Sequence, residues 1–232
     1  MQADRVIQKV KLQNMELSPR ESNTLGQYRG VAGDVRAAGR RAQLLEAGLA
    51  TFGTHGFAKT SVKAICATAG LSERYFYESF ANREDLLYAV YESIVEELTT
   101  AMFTAVGQAD RTFTARAHAA LTVFFGLLTD DARKGRVLSV EAVGVNDKLE
   151  KRRFDTIHVF ADFLAAEARE LASSDEEPAL DPLLTSLSLV GAANELLIEW
   201  LLGRVTDEPA TLVEHCTRMF VAVGSAAYGS EN

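Results

Sequence analysis

Residues 60–80 read TSVKAICATAGLSERYFYESF, and this stretch decides the fold. Val62, Ile65, Cys66 and Ala69 fall at i, i+3, i+4 and i+7, the apolar stripe of a short helix. Gly70 ends that helix, because a chain leaving a helix into a tight turn often needs positive φ. Ser72 is placed to cap the next helix by accepting from an N–H one turn on. That second helix is too short to bury itself and is rich in aromatics, with Tyr75, Phe76, Tyr77 and Phe80. Two short helices around a Gly-Leu-Ser turn have the layout of a helix-turn-helix, whose second helix enters the major groove of DNA.

The elements around this motif read as helices. A first helix is expected from about Asp34 to His55, opened by Arg36, Arg40 and Arg41 and striped by Leu45, Leu49 and Phe52. Gly53 and Gly56 punctuate its end. Thr60 or Ser61 caps the helix that follows. Asn82 caps a long fourth helix, where Glu84 and Asp85 complement the N-terminal dipole and Leu86, Leu87, Val90, Ile94 and Leu98 face inward. Five further helical patterns cover roughly 110–129, 132–144, 147–173, 180–204 and 208–228. With 4 Pro in 232 residues and few alternating β-branched runs, the fold class is all-α. Residues 1–33 are polar and lack periodicity. They read as a mobile N-terminal arm, partly helical from Gln2 to Met15, with Lys9, Lys11 and Arg20 able to touch DNA backbone. Residues 34–82 are expected to form the helix-turn-helix domain and residues 83–232 a second, helical domain.

Charge is divided along the chain. The net charge is −8, which by itself opposes nucleic-acid binding. Residues 36–91 nevertheless hold seven basic and five acidic groups, while residues 92–232 hold twelve basic and twenty-three acidic. A mildly basic end on an acidic body suits a protein that meets phosphate by one face only. Cys66 and Cys216 form no disulfide framework or metal pair, and Cys66 reads as core filler. No signal peptide opens the chain, and the apolar run 183–202 is broken by Asn194, Glu195 and Glu199, which are costly in lipid. A cytoplasmic location with no membrane association is expected.

With these residues placed, the stretch from Arg41 to Leu87 resembles the N-terminal domain of the TetR family of bacterial transcriptional regulators. The matching features are Ala47, Phe52, Gly56, Phe57, Thr60-Ser61-Val62, Ile65, Ala69-Gly70-Leu71-Ser72, Tyr77, Phe80 and Arg83-Glu84-Asp85-Leu86-Leu87. The run Val190 to Leu202 resembles the penultimate helix of many members. The resemblance implies a two-domain homodimer that binds a palindromic, double-stranded DNA operator. It also implies a C-terminal domain that takes a small-molecule effector, last two helices that pair with those of the other subunit, and ligand binding that releases the DNA. Repression is the family expectation.

On the second helix, Phe76 and Phe80 should face the core, leaving Glu73, Arg74, Tyr75, Glu78 and Ser79 outward. Arg74 is the first candidate for a base contact, since its planar fork fits guanine. Tyr75 can meet a thymine methyl or phosphate, and Glu73 can accept from cytosine or simply be solvated. Lys63 occupies a family position where a basic residue often reaches the groove edge. Thr60, Ser61, Tyr77, Ser79, Arg83 and Arg40 are the phosphate candidates. Ser79 replaces a longer Tyr or His of many members, and Arg83 replaces a common Lys.

For the effector domain, Phe103, Phe113, Phe124, Phe125, Phe154, Phe160 and Phe163 read either as core or as the lining of an apolar cavity between helices. Candidate pocket residues are Phe124, Phe154, His158, Asn194, Glu195 and Trp200. Asn194 and Glu195 read equally as a hydrogen-bonded pair across the dimer. Candidate interface residues are Leu187, Val190, Leu212, Met219 and Phe220. His55, His118, His158 and His215 show no metal-ligand spacing, so neither a metal nor a cofactor is expected. Two rivals remain open: a ligand-independent dimeric DNA-binding protein, which would have a filled C-terminal core, and a helical enzyme. No nucleophile–base pair or Gly-rich phosphate loop supports the enzyme, and Glu167, Glu170 and Asp175 to Glu177 read as solvated charge.

Overall fold

The computed structural model describes residues 30–171 and 178–228, with side chains described from residue 34 to residue 227. The expectations for the N-terminal arm, including Lys9, Lys11 and Arg20, and for Asp175 to Glu177 lie outside these residues. Among the described residues the chain is helical and no strand occurs.

The N-terminal end of the described chain consists of α1 (Gly30–His55), α2 (Val62–Ala69) and α3 (Glu73–Ser79), followed by the long α4 (Arg83–Gln108). Helix α1 starts four residues before the expected Asp34. A glycine weakens a helix without ending it, and Gly39, Gly48 and Gly53 all lie inside α1. The helix ends at His55 as expected, and Gly53, in its last turn, is a point of close approach, where an added Cβ would stand 2.5 Å from the Cβ of Arg133. The chain turns at Gly56, with φ of 88°.

Helix α2 is capped by Ser61, whose Oγ accepts from the Ala64 N–H, and it ends at Gly70 in the left-handed region. Ser72 stands at the N-cap of α3 in extended conformation, but its side chain makes no capping bond. The expected side-chain cap is therefore absent. The exposed hydroxyl is left to water while the Ser72 carbonyl accepts from Tyr75 and Phe76. Asn82 caps α4 by accepting from the Asp85 N–H at 2.7 Å, with Glu84 and Asp85 in the first turn.

Beyond α4 come α5 (Phe113–Asp130), α6 (Ala132–Arg136), a π-helical turn over Val137–Glu141, α7 (Asp147–Leu171), α8 (Pro182–Leu201) and α9 (Pro209–Tyr228). Helix α5 packs on both α4 and α9, α7 packs on α8, and α6 is wedged between α1, α5 and α8. One buried apolar cluster runs without interruption from Leu44 and Phe52 on α1, through Leu86, Val90 and Leu98 on α4, to Leu197 and Phe220. Helix α4 thus belongs to both ends. Its Leu86 and Val90 lie against Gly48 of α1 at 3.1 Å from where a Cβ would be.

Candidate DNA interface and effector cavity

The recognition surface starts from Phe76 and Phe80, which are buried as expected and fix the orientation of α3. Their rings lie 5.9 Å apart, and Tyr77 meets Phe76 edge-on at 5.4 Å. The same anchoring leaves Glu73, Arg74, Tyr75, Tyr77 and Glu78 exposed, with Lys63 exposed on α2. Two arginines of α1 brace this helix from behind. The Arg40 guanidinium lies 4.5 Å from the Tyr75 ring centre and 3.6 Å from the Glu78 carboxylate, and Arg41 lies 4.5 Å from the Phe80 ring centre. Arg74 donates from Nε to Glu78 at 3.1 Å, yet its side chain is 84% exposed. Glu78 therefore holds one edge of the Arg74 guanidinium and leaves the terminal fork open to a groove.

Two of the phosphate candidates are placed differently from the sequence expectation. Thr60 is only 2% exposed, and its hydroxyl donates inward to the carbonyls of Gly56, at 2.8 Å, and Thr51. Arg83 donates to the carbonyls of Phe57 and Thr60 and lies over the Phe57 ring at 4.8 Å. Both side chains brace the turn between α1 and α2. The cause is long-range packing: the turn folds back against the start of α4, so groups that look exposed by helix position are taken up by backbone carbonyls. Ser61 is exposed but engaged as a cap, Tyr77 is 57% exposed, and Ser79 is half-buried.

The second site is a partly open apolar cavity between α4, α5, α7, α8 and α9. It is small, about 80 Å³, and is walled by Met102 and Val106, by Phe113, Leu121 and Phe124, by Phe160, Phe163 and Leu164, and by Val190, Ala193 and Phe220. Of the pocket candidates, Phe124 lies in this wall. The structure does not bring Phe154, His158, Asn194, Glu195 or Trp200 to it. Phe154 is 58% exposed, and His158 and Glu195 are exposed too. Asn194 accepts from the Ser139 hydroxyl at 3.0 Å, and Trp200 donates from Nε1 to the Asp207 carbonyl at 3.1 Å. A polar residue in an apolar run does not reveal which face it occupies. On α8 the inward stripe is Ser186, Leu189, Ala193 and Leu197, which turns Glu195 outward.

The cavity also receives two charged residues that the sequence reading passed over. Arg116 and Glu167 form an ion pair in its wall, and their side chains are 14% and 12% exposed. Reading Glu167 as solvated charge is thus corrected. The signal was available: Arg116 continues the stripe of Phe113, Ala117, Ala120 and Phe124, and Glu167 continues Phe160, Phe163 and Leu164 at helical spacing. The interface candidates divide as well. Leu212 and Phe220 are buried within the subunit and Val190 lines the cavity, whereas Leu187 and Met219 are half-buried.

Between the two sites, α6 and the π turn touch helices of both ends. Arg133 pairs with Asp131 at 2.7 Å and with Glu46 of α1 at 3.3 Å, and Lys134 pairs with Glu97 of α4 at 2.7 Å. The hydrogen bonds from Arg133 hold the Asp131 carboxyl below the usual carboxylate range. Glu141 accepts from the Phe57 N–H at 2.8 Å and from Arg136 at 3.1 Å. Ser139, two residues earlier, reaches Asn194 on α8, the helix that carries the cavity residues Val190 and Ala193. Burial pushes both thiols up, that of Cys216 to about 11, as suits core filler rather than reactive groups. Among the described residues no cluster of three or more His, Cys, Asp or Glu could hold a metal ion, and no helix is long and apolar enough to cross a membrane.

The model of the bacterial regulatory proteins of the tetR family matches residues 44–90. This stretch is a TetR-family domain. It is a DNA-binding domain of transcriptional regulators, and the match covers α1 from Leu44 through the first turns of α4, the elements that carry the recognition surface. The likeness in fold extends beyond the TetR domain. The fatty acid degradation regulator FadR from Bacillus halodurans is 17% identical with a TM-score of 0.68, over 78% of this chain and 94% of its own. FadR from Bacillus subtilis, solved in complex with stearoyl-CoA, is 18% identical with a TM-score of 0.70, over 78% and 97%. A transcriptional regulator from Pseudomonas aeruginosa PAO1 is 24% identical with a TM-score of 0.68, over 82% and 93%. No curated protein matches the sequence.

Proposed function

We propose that this TetR-family regulator is a repressor that binds a palindromic operator as a homodimer and is released by a small, largely apolar ligand. The cavity carries this reading. A filled C-terminal core would suit a protein that only holds DNA. Here an apolar space lies beside α8, and α8 is tied through Asn194 and Ser139 to the turn that caps Phe57. A ligand shifts an equilibrium only by binding one conformation better than another. Wedging Val190 and Ala193 outward would move Asn194, and with it the Glu141 contact to the DNA-binding end. The almost wholly apolar wall suits an acyl chain, and stearoyl-CoA bound to the similar Bacillus subtilis regulator supports that class.

On the recognition surface, Arg74 is the base-reading residue, helped by Tyr75, Glu73 and Lys63, with Tyr77, Ser61 and Ser79 facing phosphate. The dimer forms through α8 and α9. Leu184, which is 65% exposed, Leu187, Ser188, Gly191 and Glu195 follow one another along one face of α8, and Leu183 adds to its start. Leu184→Glu should leave the fold intact and yield monomers in analytical ultracentrifugation.

The test of the whole reading is to select binding duplexes from a random pool and then titrate the complex with acyl-CoA compounds of increasing chain length. The expected result is an inverted-repeat sequence bound at low concentration and released by a subset of chain lengths. A selected duplex with no repeat and no response to any chain would sink it.

A further inference from the structure

We infer that Arg40, which stands on α1 and not on the recognition helix, sets the base preference of α3 by positioning Arg74 and Tyr75, and is not a phosphate contact. This rests on the reading of Arg74 as the base-reading residue.

Three groups meet at one carboxylate. The Oε1 of Glu78 accepts from the Nε of Arg74 at 3.1 Å, and its Oε2 faces the Nη2 of Arg40 at 3.6 Å. Each carboxylate oxygen therefore has its own guanidinium, and the carboxylate is held from both sides. The Arg40 guanidinium also lies over the Tyr75 ring, 4.5 Å from its centre. The Arg40 side chain is 27% exposed, so it is the covered member of the group and Arg74 is the open one.

An exposed Glu–Arg pair one helical turn apart is weak, because two long side chains give up rotamer freedom to form it. Held only by each other, Glu78 and Arg74 would sample many arrangements in water. Arg40 removes much of that freedom. It starts from another helix, its planar face is taken by Tyr75, and its end holds Glu78. What α3 offers to a groove is then a guanidinium fixed along its Nε edge with the terminal nitrogens free, beside a ring with one face covered. A reading side chain discriminates only as well as its supporting contacts fix it. A phosphate contact carries no sequence information and calls for an available cation. The cation of Arg40 is already met by a carboxylate and a ring.

The experiment uses the full chain, the inverted-repeat duplex selected from the random pool, the same duplex changed at one base pair in both half-sites, and an unrelated duplex. Fluorescence anisotropy at several salt concentrations gives the ratio of affinities for the selected and the changed base pair at each position. Arg74→Ala marks the position that Arg74 reads. Arg40→Lys keeps the charge, but a point charge cannot cover the ring and hold Glu78 together. It should lower the ratio at the marked position at least threefold with an unchanged salt slope. Glu78→Gln breaks the same chain of contacts from the other side. It too should lower the ratio at least threefold, while binding to the unrelated duplex becomes no weaker, because an anion near phosphate is gone. Damage to the fold would weaken both, so Glu78→Gln decides alone if Arg40→Lys does not fold. Wild-type ratios in either folded variant, or equal losses on every duplex, would overturn the proposal. A salt slope flattened by about one in Arg40→Met would return Arg40 to the phosphate contacts and overturn it too. If Arg74→Ala relaxes no position, the base-reading assignment itself falls and takes this proposal with it.

Discussion

Arginine–glutamate groups stand at both ends of this molecule, and their balance differs. At the recognition helix, Arg40 of α1 and Arg74 share the carboxylate of Glu78, and with Arg41 and Lys63 against Glu73 the open surface keeps a positive surplus. At the cavity, Arg111 and Arg116 face Glu167 and Glu170, with no surplus, and the inner pair is nearly buried. A surplus in water is weak for stability, since exposed pairs contribute only tenths of a kcal/mol, but it draws in a polyanion. A balanced pair out of water offers an added charge no net attraction to offset its lost hydration. The same residue types thus differ at the two ends in stoichiometry and burial.

The comparison is broken first at the open end. Arg74→Ala should cost roughly 1–3 kcal/mol per half-site and relax one base position, measured by fluorescence anisotropy on operator variants. Equal losses on every sequence would turn Arg74 into a phosphate contact. Gly53→Ala tests the connection between the ends. The new methyl would stand 2.7 Å from the Cα of Arg133, so backbone must part. A loss of about 2 kcal/mol in stability is expected, with operator affinity losing its response to ligand. An unchanged melting temperature would show that α1 and α6 are not held at this distance.

Arg83→Ala separates bracing from DNA contact. It should lower stability by about 1.5 kcal/mol and leave the salt dependence of DNA binding unaltered; a flatter salt slope would restore Arg83 to the phosphate contacts. Glu141→Ala removes the acceptor of the Phe57 N–H, and about 1 kcal/mol of stability should go with it, together with earlier hydrogen exchange at Phe57. Protection of that amide in the variant would exclude the link. The smallest effect is expected for Lys63→Ala, which should barely change stability but reduce the salt slope of DNA binding by about one. A slope equal to wild type would place Lys63 outside the interface.

What could be read from the sequence follows the range of the interactions. Ser61, Gly70 and Asn82 act within four residues of themselves, and the caps and turn they predict are present, apart from the missing side-chain bond of Ser72. Arg83 has a partner far off in sequence, Phe57 lying 26 residues away; Thr60 bonds to Gly56 only four residues back, and what its sequence position does not reveal is its tertiary burial. The cavity was harder still, being the space left by five helices. Phe124 was legible as a large residue on an inward stripe. Phe154, His158 and Glu195 were chosen for their apolar neighbours in sequence, although helix phase decides exposure. The same phase pointed to Arg116 and Glu167, and only the habit of assigning charge to solvent hid them.

The π turn holds a consequence of a different kind. Its Ala142 N–H bonds to the Val137 carbonyl, five residues back, so the turn contains one residue more than an α-helical turn closed at four. One residue added to or taken from a helical turn rotates its neighbours by about 100°. Glu141, which meets Phe57, and Ser139, which meets Asn194, both lie within this turn. The spacing between the two ends is therefore set by a reading frame along the helix, and a single-residue deletion within 137–141 would be felt as a rotation. Such a deletion could leave every helix formed and every site lined, yet disconnect the cavity from the DNA-binding end.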